Sequence, residues 1–355
     1  MKVLILTGKF GMGHVSVAEA LREELSMQPG TVAHVVDIIE YMFPKAAAAI
    51  YGGFGKLSGR FSSIYNAVNR IDDGRNGVLV KGSFYKRFES LLDEEKPDVV
   101  ISTLPVISRY AGAYIRYSGR KVGYIVCVTD IDPHSEWVSE RADVYLAGDE
   151  VTRQLLVEKG VPSCKIRIVG IPVRRAFDHI EKNFPTSMEK EILVMGGGLG
   201  IIPDVDEIMK QVCHLPRVHI TVIAGKNRKL KETLEESYPG ASIVGYTDRV
   251  AEYMGQADLL ISKAGGITFF EAIHSETPIL ALHPFLEQEI RNADLIERKK
   301  IGSVMNSDEE GLTTQLQELL YDEETQRRLR RNLKQLKASY TSCNVVNLVG
   351  KLSRA

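Results

Sequence analysis

The sequence twice places a short apolar run directly before a glycine-rich turn, and this repeat constrains the fold more than any other feature. "KVLIL" at residues 2–6 precedes "TGKFGMGH", and "EILVM" at residues 191–195 precedes "GGGLG". A strand, a glycine turn and a helix form half of a βαβ unit, so we predict an α/β fold built on parallel sheets. Residues 15–25, after the first turn, carry apolar side chains at the spacing of a helix: Val17, Ala18, Leu21 and Leu25.

Strand-like and helical segments continue to alternate along both halves of the chain. Because 355 residues exceed the size at which one core keeps growing, we predict two Rossmann-like, doubly wound domains that face each other across a cleft. The polar stretch 178–190 contains a proline and has no apolar period, so it is predicted to link an N-terminal domain, 1–177, to a C-terminal domain, 191–337. The predicted strands read "VAHVVDII", "PDVVISTL", "KVGYIVCVT", "ADVYLAG" and "KIRIVG" in the first domain, and "VHITVIAG", "ASIVGY", "ADLLISK" and "TPILAL" in the second.

Composition indicates a soluble globular protein, with 44% hydrophobic and 26% charged residues. The four cysteines are scattered, with no CxxC pair and no metal-binding spacing, which is typical of reduced thiols in a cytosolic protein. We expect no signal peptide before Lys2, and no apolar run approaches the roughly 20 residues of a membrane span. The chain is therefore predicted not to cross a bilayer.

Residues 41–90 are basic, with a net charge of +5 in a chain whose total is -1. This region mixes lysine and arginine with aromatic and small apolar residues, as in "FPKAAAAIYGGFGKLSGRFSSIYNAV". It favours either a buried helical pair with a solvated basic rim or a patch that inserts among anionic lipid headgroups. Nucleic acid is a weaker alternative, because no binding motif accompanies the charge. The basic side chains are Lys45, Lys56, Arg60, Arg70, Arg75, Lys81, Lys86 and Arg87.

His14 is the one residue of the first turn that backbone geometry does not explain. A lone histidine is commonly a partly exposed side chain satisfied by a backbone carbonyl, but this one follows a parallel strand, where open α/β sheets bind their ligands. Gly11 and Gly13 suggest a dinucleotide fingerprint, with Asp37 placed to bind a ribose. That alternative is weak, because Ser16 occupies the position of the third glycine.

The segment 257–293 carries the clearest binding pattern. Gly265 and Gly266 follow a predicted strand and open a helix, as at a diphosphate site. Thr268 and Glu271 have the spacing of a capping box, in which Glu271 would only close the end of the helix. The alternative is that Glu271 accepts hydrogen bonds from two ribose hydroxyls. The polar residues past the next strand are suited to reading sugar hydroxyls: Gln288, Glu289 and Asn292.

These blocks together resemble a known family. "GMGHVSVAEAL", "VTDIDPHSEWV", "VGIPVR", "GGGLG", "GYTDRVAEYM" and "SKAGGITFFEA…QE..NA" are similar, in order, to blocks of the inverting GT-B glycosyltransferases. That family includes the peptidoglycan UDP-N-acetylglucosamine transferase, the monogalactosyldiacylglycerol synthases and the processive diacylglycerol glucosyltransferases, and the likeness to the last two is closest. Glu287 departs from the family pattern, which usually has glycine there. The resemblance spans most of the chain and implies that a C-terminal helix at about 338–355 packs back on the first domain.

The resemblance also implies roles for individual residues. It places the sugar opposite Gln288 and Glu289 and the ribose beside Glu271, with Asn292 on the lip of the same site. His14 would lie near the acceptor, with Asp130 and His134 on the catalytic side and Trp137 either an interfacial anchor or a buried aromatic. Uracil would sit near Gly245, Tyr246 and Val250, and the diphosphate would face Arg174, Gly197, Gly198, Gly200, Gly265, Gly266 and Thr268. The acceptor and membrane side would comprise Gly11, Gly13, Lys56, Arg60 and Trp137.

This family chemistry gives His14 a function. In inverting transfer an acceptor hydroxyl attacks the anomeric carbon, a base removes its proton and UDP leaves. A histidine near a helix N-terminus suits the base, because the helix dipole disfavours the imidazolium. "DID" at 130–132 mimics a metal motif of another glycosyltransferase fold, but we expect no metal and no cofactor, with UDP-sugar as donor substrate.

The expected reaction is transfer of glucose or galactose from a UDP-sugar to diacylglycerol by a cytoplasmic enzyme that binds the anionic inner face of the cell membrane. Another lipid or small-molecule acceptor is an alternative. So are a UDP-sugar 2-epimerase-like isomerase and a non-catalytic UDP-sugar sensor, which would not depend on His14.

Overall fold

A computed structural model shows that the chain forms two compact units. The first unit contains Met1–Pro172 and Cys343–Ala355, and the second contains Val173–Ser342. The structure describes residues 1–10, 12–56, 75–178, 180, 189–284, 287–341 and 345–354. Gly11 and Arg60 lie outside these residues, as does most of the predicted linker.

The first unit is built on a parallel sheet of six strands in the order β2-β1-β3-β4-β5-β6. The central strands are buried on both faces, as expected of a parallel sheet covered by helices. The chain passes from β1 to β2 on one side and then crosses to β3 on the other side of β1. The strand order therefore reverses between β1 and β3. The strands are β1 (Lys2–Thr7), β2 (Val32–Asp37), β3 (Val99–Ser102), β4 (Gly123–Cys127), β5 (Val144–Ala147) and β6 (Ile166–Ile168).

Helices connect these strands and bury an apolar side against them. The aromatic core beneath the sheet includes Phe88, Tyr124 and Trp137, each fully buried. The helices are α1 (Gly13–Ser26), α2 (Ile38–Met42), α3 (Ala47–Lys56), α4 (Arg75–Glu95), α5 (Pro105–Ser118) and α6 (Glu150–Glu158), with 3-10 turns at Ser135–Trp137 and Ser163–Lys165.

The second unit repeats the plan with the order β12-β11-β10-β7-β8-β9, again entirely parallel. Its order reverses between β7 and β10. The strands are β7 (Lys190–Met195), β8 (Val218–Ile223), β9 (Ser242–Val244), β10 (Leu259–Ser262), β11 (Ile279–Ala281) and β12 (Gly302–Val304). The helices are α7 (Val205–Cys213), α8 (Arg228–Ser237), α9 (Val250–Gln256), α10 (Gly266–His274), α11 (Glu287–Arg298), α12 (Glu309–Tyr321) and α13 (Glu323–Thr341), and a 3-10 turn lies at Arg175–Phe177.

The strand predicted from "VAHVVDII" ends earlier than the apolar run does. Asp37 caps α2, because its Oδ1 accepts hydrogen bonds from the backbone N–H groups of Ile39 and Glu40, both at 3.1 Å. The two apolar residues after Asp37 are thus helical. The same carboxylate is committed to the cap, which removes the support for Asp37 as a ribose ligand of a dinucleotide.

The boundary between the units also differs from the sequence boundary at 177. Residues 173–178 belong to the second unit, where Phe177 is fully buried and Asp178 Oδ1 lies 2.6 Å from His274 Nδ1. Arg174 therefore lies in the second unit. The predicted boundary at 177 had put it in the first. These contacts are long-range, so local composition does not signal them.

The C-terminal segment forms two helices where the sequence suggested one. α13 ends at Thr341, and α14 (Val345–Leu352) packs against α1 and β4 in the first unit. Gly123 makes room for it, since a Cβ there would lie 3.0 Å from the Cβ of Leu352. Across the described part of the chain, no helix combines the length and the apolar character that a membrane span requires.

Candidate active site

His14 lies at the second position of α1, directly after the turn that follows β1. Its side chain is buried, with 7% of its surface exposed, and its Nδ1 lies 2.9 Å from the hydroxyl oxygen of Thr129. The hydroxyl of Thr103 donates to the carbonyl oxygens of Leu6 and His14, at 3.2 and 3.3 Å. The imidazole is therefore held by a side chain that follows β4, and the start of its helix is tied to β1 and β3.

Burial lowers the pKa of His14 below its ordinary value. The Asp130 carboxylate and the backbone of Thr103 offset part of this effect, and the nearby His134 adds to it. The imidazole is thus neutral at physiological pH. The sequence attributed neutrality to the helix dipole, whereas desolvation is the larger cause in the structure.

Trp137 is fully buried in the core of the first unit. Its indole N–H donates to Asp130 Oδ2 at 3.1 Å, and its ring centroid lies 6.4 Å from that of His14. The anchor role among lipid headgroups is therefore wrong for Trp137, and the buried alternative is correct. Its packing instead fixes the carboxylate of Asp130 near the imidazole.

His134 completes the polar group of the first unit. Its Nδ1 lies 3.3 Å from Glu136 Oε2. Burial by itself would lower the pKa of His134, but the carboxylates of Glu136 and Asp130 outweigh it, and the pKa is raised. Two histidines with opposite pKa shifts therefore lie close together. The lowered pKa favours His14 as a neutral base, and the raised pKa favours His134 as a cation. Among the described residues, no group of three or more His, Cys, Asp or Glu side chains is arranged to hold a metal ion.

Sheet topology explains why residues so far apart in the sequence meet. In a doubly wound sheet the connections diverge on either side of the point where strand order reverses, which leaves a crevice at the carboxyl ends of those strands. In the first unit this point lies between β1 and β3, and the residues after β1, β3 and β4 surround it. His14, Thr103, Thr129 and Asp130 are those residues.

The second unit forms its crevice between β7 and β10. The loop after β7 requires glycine, because a Cβ at Gly200 would lie 1.7 Å from the carbonyl oxygen of Ala224, and the φ of Gly200 is +66°. Its carbonyls are engaged: Gly198 accepts from the backbone N–H of Lys226 at 3.1 Å, and Gly200 accepts from Asn227 Nδ2 at 3.1 Å. Gly197 has a φ of +72°, and nothing lies within 4 Å of the position that a Cβ would take there.

The helix after β10 presents an open N-terminus. α10 begins at Gly266, its N-cap is Gly265, and no described side chain hydrogen-bonds to this cap. Thr268 lies inside the first turn, so the capping-box interpretation of Thr268 and Glu271 is wrong. Asn292 supports the loop from below, because its Nδ2 donates to the carbonyl oxygen of Ala264 at 2.6 Å. With 4% exposure, Asn292 holds the loop and does not lie on an open lip.

Glu271 is buried one turn into α10, with 8% of its surface exposed. Desolvation raises its pKa to about 7, and the positive charge of Arg174 opposes the shift. Arg174 donates from Nη1 to the carbonyl oxygen of Asp248 at 3.3 Å, while its buried Nε makes no hydrogen bond within the described residues. A buried carboxylate and an incompletely bonded guanidinium thus stand at the same end of the sheet.

The remaining predicted donor residues follow β9 and β11. Val250 is the first residue of α9, and Tyr246 is 56% exposed. Sequence reasoning missed two lysines: Lys226 Nζ lies 5.3 Å from the ring centroid of Tyr246, and Lys263 Nζ lies 3.9 Å from Glu289 Oε1. Both follow a strand, which is the signal that could have found them. Gly245 precedes Tyr246, and Gln288 precedes Glu289 on α11.

Two doubly wound units, each with polar groups gathered at its switch point, define the GT-B class of proteins. MurG from Acinetobacter baumannii has this fold, with a TM-score of 0.63, 14% identity and coverage of 99% of this chain and 100% of that one. UDP-GlcNAc 2-epimerase from Neisseria meningitidis, solved with UDP-GlcNAc bound, has it too, with a TM-score of 0.62, 15% identity and coverage of 99% and 100%. Identities this low show the fold alone, so the fold does not separate a transferase from an isomerase.

Sequence comparison separates them. Residues 14–173 match the monogalactosyldiacylglycerol (MGDG) synthase family, and residues 191–342 match the glycosyltransferase family 28 C-terminal domain. The processive diacylglycerol beta-glucosyltransferase of Bacillus subtilis (strain 168) is 31% identical over 363 residues, which cover 96% of this chain and 92% of the relative. The chain belongs to the family of GT-B glycosyltransferases that contains these diacylglycerol enzymes. It is a glycosyltransferase, and the isomerase and sensor alternatives are set aside.

Proposed function

We propose that the enzyme transfers a hexose, glucose or galactose, from a UDP-sugar to diacylglycerol at the cytoplasmic face of an anionic membrane, with inversion at the anomeric carbon. The acceptor and the hexose follow from the names of the matched relatives. Inversion is supported by the beta product named for the Bacillus enzyme, since UDP-glucose carries an alpha linkage. The membrane surface is supported by the insolubility of diacylglycerol and by the basic region 41–90.

The observation that carries the proposal is the environment of His14. When Nδ1–H donates to Thr129, Nε2 is the unprotonated nitrogen and can accept a proton. Burial keeps the imidazole neutral, so this nitrogen is available at physiological pH. A neutral imidazole at a switch point is suited to general base catalysis.

The reaction then proceeds as a single displacement. The acceptor hydroxyl oxygen forms a bond to the anomeric carbon while His14 Nε2 takes its proton. The bond from the anomeric carbon to the diphosphate oxygen breaks, and UDP leaves with the electron pair. We assign stabilisation of the negative charge on the leaving diphosphate to the guanidinium of Arg174 and the open N-terminus of α10, and not to a metal. Asp130 and His134 shape the field around the base.

We assign the binding of the donor to groups of the second unit. We assign the ribose hydroxyls to Glu271, which is buried and lacks a cationic partner within salt-bridge distance among the described side chains. We assign the backbone N–H groups of the half-buried Gly197 and Gly198 to the phosphates, whereas Gly200 is buried and donates its own N–H to the carbonyl oxygen of Gly197 at 2.9 Å. Tyr246, Gly245 and Val250 would contact the uracil, and Gln288 and Glu289 would contact the sugar.

The test is mass spectrometry of lipids after incubation with vesicles of anionic phospholipid and diacylglycerol, with UDP-glucose and UDP-galactose supplied separately. We expect one or more hexoses on diacylglycerol from one donor. His14→Ala should reduce turnover by roughly 10²- to 10⁴-fold, the usual contribution of a general base, while UDP affinity is unchanged. The matched control is His34→Ala, since His34 is exposed on β2 and pairs with Glu95 at 2.7 Å.

Three outcomes would contradict parts of the proposal. Unmodified lipid with UDP released would reject diacylglycerol as the acceptor. Full turnover in His14→Ala would reject the base. Equal rates with vesicles of neutral and of anionic phospholipid would reject the anionic surface.

A further inference from the structure

The turn that precedes His14 is held by a tyrosine that the mechanism above does not use. The backbone N–H of Lys9 donates to the hydroxyl oxygen of Tyr51 at 3.0 Å, and this hydroxyl donates to Asp37 Oδ1 at 2.6 Å. Tyr51 lies on α3, and Asp37 is the cap of α2. One hydroxyl therefore connects the turn after β1 to the end of β2 and to a separate helix.

The turn is shaped to receive this side chain. A Cβ at Gly8 would lie 3.3 Å from the Tyr51 hydroxyl and 3.1 Å from Leu104 Cδ2, so glycine allows the chain to pass beneath the ring. Phe10 packs edge-on against Tyr51, with ring centroids 5.0 Å apart. Residues on both sides of Lys9 thus contact the same tyrosine.

The charge around the hydroxyl keeps it a donor. Burial, followed by the hydrogen bond to Asp37, raises the pKa of Tyr51 far above its ordinary value. Lys9 Nζ lies 2.6 Å from Glu40 Oε1 and 3.6 Å from Asp37 Oδ2, which brings a second contact between the turn and α2. The Tyr51 hydroxyl therefore keeps its proton at physiological pH and can donate it to Asp37.

The turn leads directly into α1, and His14 is the second residue of that helix. The imidazole meets Thr129 only if α1 starts at the correct place, because Thr129 belongs to a different part of the sheet. We propose that Tyr51 is a positioning residue for His14: its hydroxyl holds the glycine turn so that the imidazole stays buried against Thr129. This inference rests on the proposed function of His14 as the base.

The test is Tyr51→Phe, which removes the hydroxyl and keeps the ring against Phe10. Tyr41→Phe is the matched control, because the Tyr41 hydroxyl also donates to a carboxylate, Glu94 Oε2 at 3.4 Å, at a distance from the turn. The first readout is the NMR titration of the His14 imidazole, assigned by its loss in His14→Ala. In the wild type, burial lowers the pKa of this imidazole below its ordinary value. In Tyr51→Phe we expect it to move toward 6.5, because the loosened turn admits water to the ring.

The second readout is kinetic. We expect kcat to fall about 5- to 30-fold, as for loss of a hydrogen bond that positions a catalytic group, with the KM for the UDP-sugar unchanged. The acid limb of the pH profile of kcat should move to higher pH together with the pKa of His14. Tyr41→Phe should change neither, and Phe10→Leu, which keeps the hydroxyl, should leave the titration in place.

A merely structural tyrosine would behave differently. Lower thermal stability with an unchanged His14 titration and an unchanged kcat would overturn the proposal. If Tyr51→Phe does not fold, Asp37→Asn keeps the cap and weakens the bond to Tyr51, and an unchanged titration there would overturn it as well. Full turnover in His14→Ala would reject the base, while the NMR titration would still decide whether Tyr51 positions the ring.

Discussion

The Nδ1 of His14 lies 2.9 Å from the hydroxyl oxygen of Thr129, although 115 residues separate them in the chain. Because the two residues follow different strands of one sheet, the orientation of the imidazole is fixed by the assembled fold and not by its own turn. A substitution at Thr129 can therefore remove one hydrogen bond to the imidazole while the imidazole itself stays in place.

Thr129→Val should lower kcat about 5- to 30-fold, which corresponds to one lost hydrogen bond of about 1–2 kcal/mol in the transition state. The isosteric valine keeps the packing but no longer selects the tautomer with Nε2 unprotonated. Thr129→Ser should restore most of the activity. Equal kcat values for the valine and serine variants would contradict this role, and UDP affinity should be unchanged in both.

The pH dependence of the reaction should show two different acid limbs. For kcat, which reports the loaded enzyme, activity is lost as His14 becomes protonated, and its lowered pKa puts this limb below pH 6.5. For kcat/KM toward the UDP-sugar, which reports the free enzyme, activity is lost as Glu271 becomes protonated, at about pH 7. Glu271→Gln should remove the second limb and leave the first. Coincident limbs would contradict the assignment.

Glu271→Gln should stabilise the protein while weakening donor binding. Burial raises the pKa of this carboxyl from 4.5 to about 7, so the folded protein holds the proton more tightly than the unfolded chain does. The cost of burying the charge is absent below pH 4.5, grows as the pH rises toward 7, and is complete above it.

The free energy of unfolding of Glu271→Gln should therefore exceed that of the wild type at pH 8, by at most on the order of 3 kcal/mol. The difference should vanish at pH 4.5. Urea denaturation at the two pH values measures it, with Glu235→Gln as control, since Glu235 pairs with Lys231 on the exposed side of α8. A lower stability of Glu271→Gln than of the wild type at pH 8 would indicate that the carboxylate has a cationic partner.

Gly200→Ala should destabilise the second unit by more than about 3 kcal/mol. The new Cβ would overlap the carbonyl oxygen of Ala224, and the positive φ of Gly200 adds backbone strain. Gly240→Ala is the control, because nothing lies within 4 Å of a Cβ there. Urea denaturation of both variants checks the difference, and a cost below about 1 kcal/mol for Gly200→Ala would contradict the geometry.

Much of the architecture followed from the sequence, because parallel strands and their glycine turns leave local signals. The β7 and β10 loops, with Gly200 and Gly265, were predicted from pattern alone. β12 was missed, since three residues at a sheet edge carry no period. Thr129 was not singled out and Trp137 was left between two alternatives, because their roles depend on which strand lies beside which. The spacing of residues along a chain does not contain that information.

α14 has a consequence for synthesis of the protein. The second unit is one continuous stretch of chain, whereas the first needs residues from both ends. All residues of the second unit therefore leave the ribosome before α14, the helix that packs against β4 and α1. Until α14 has emerged, β4 and α1 of the first unit keep an uncovered apolar strip on the nascent chain.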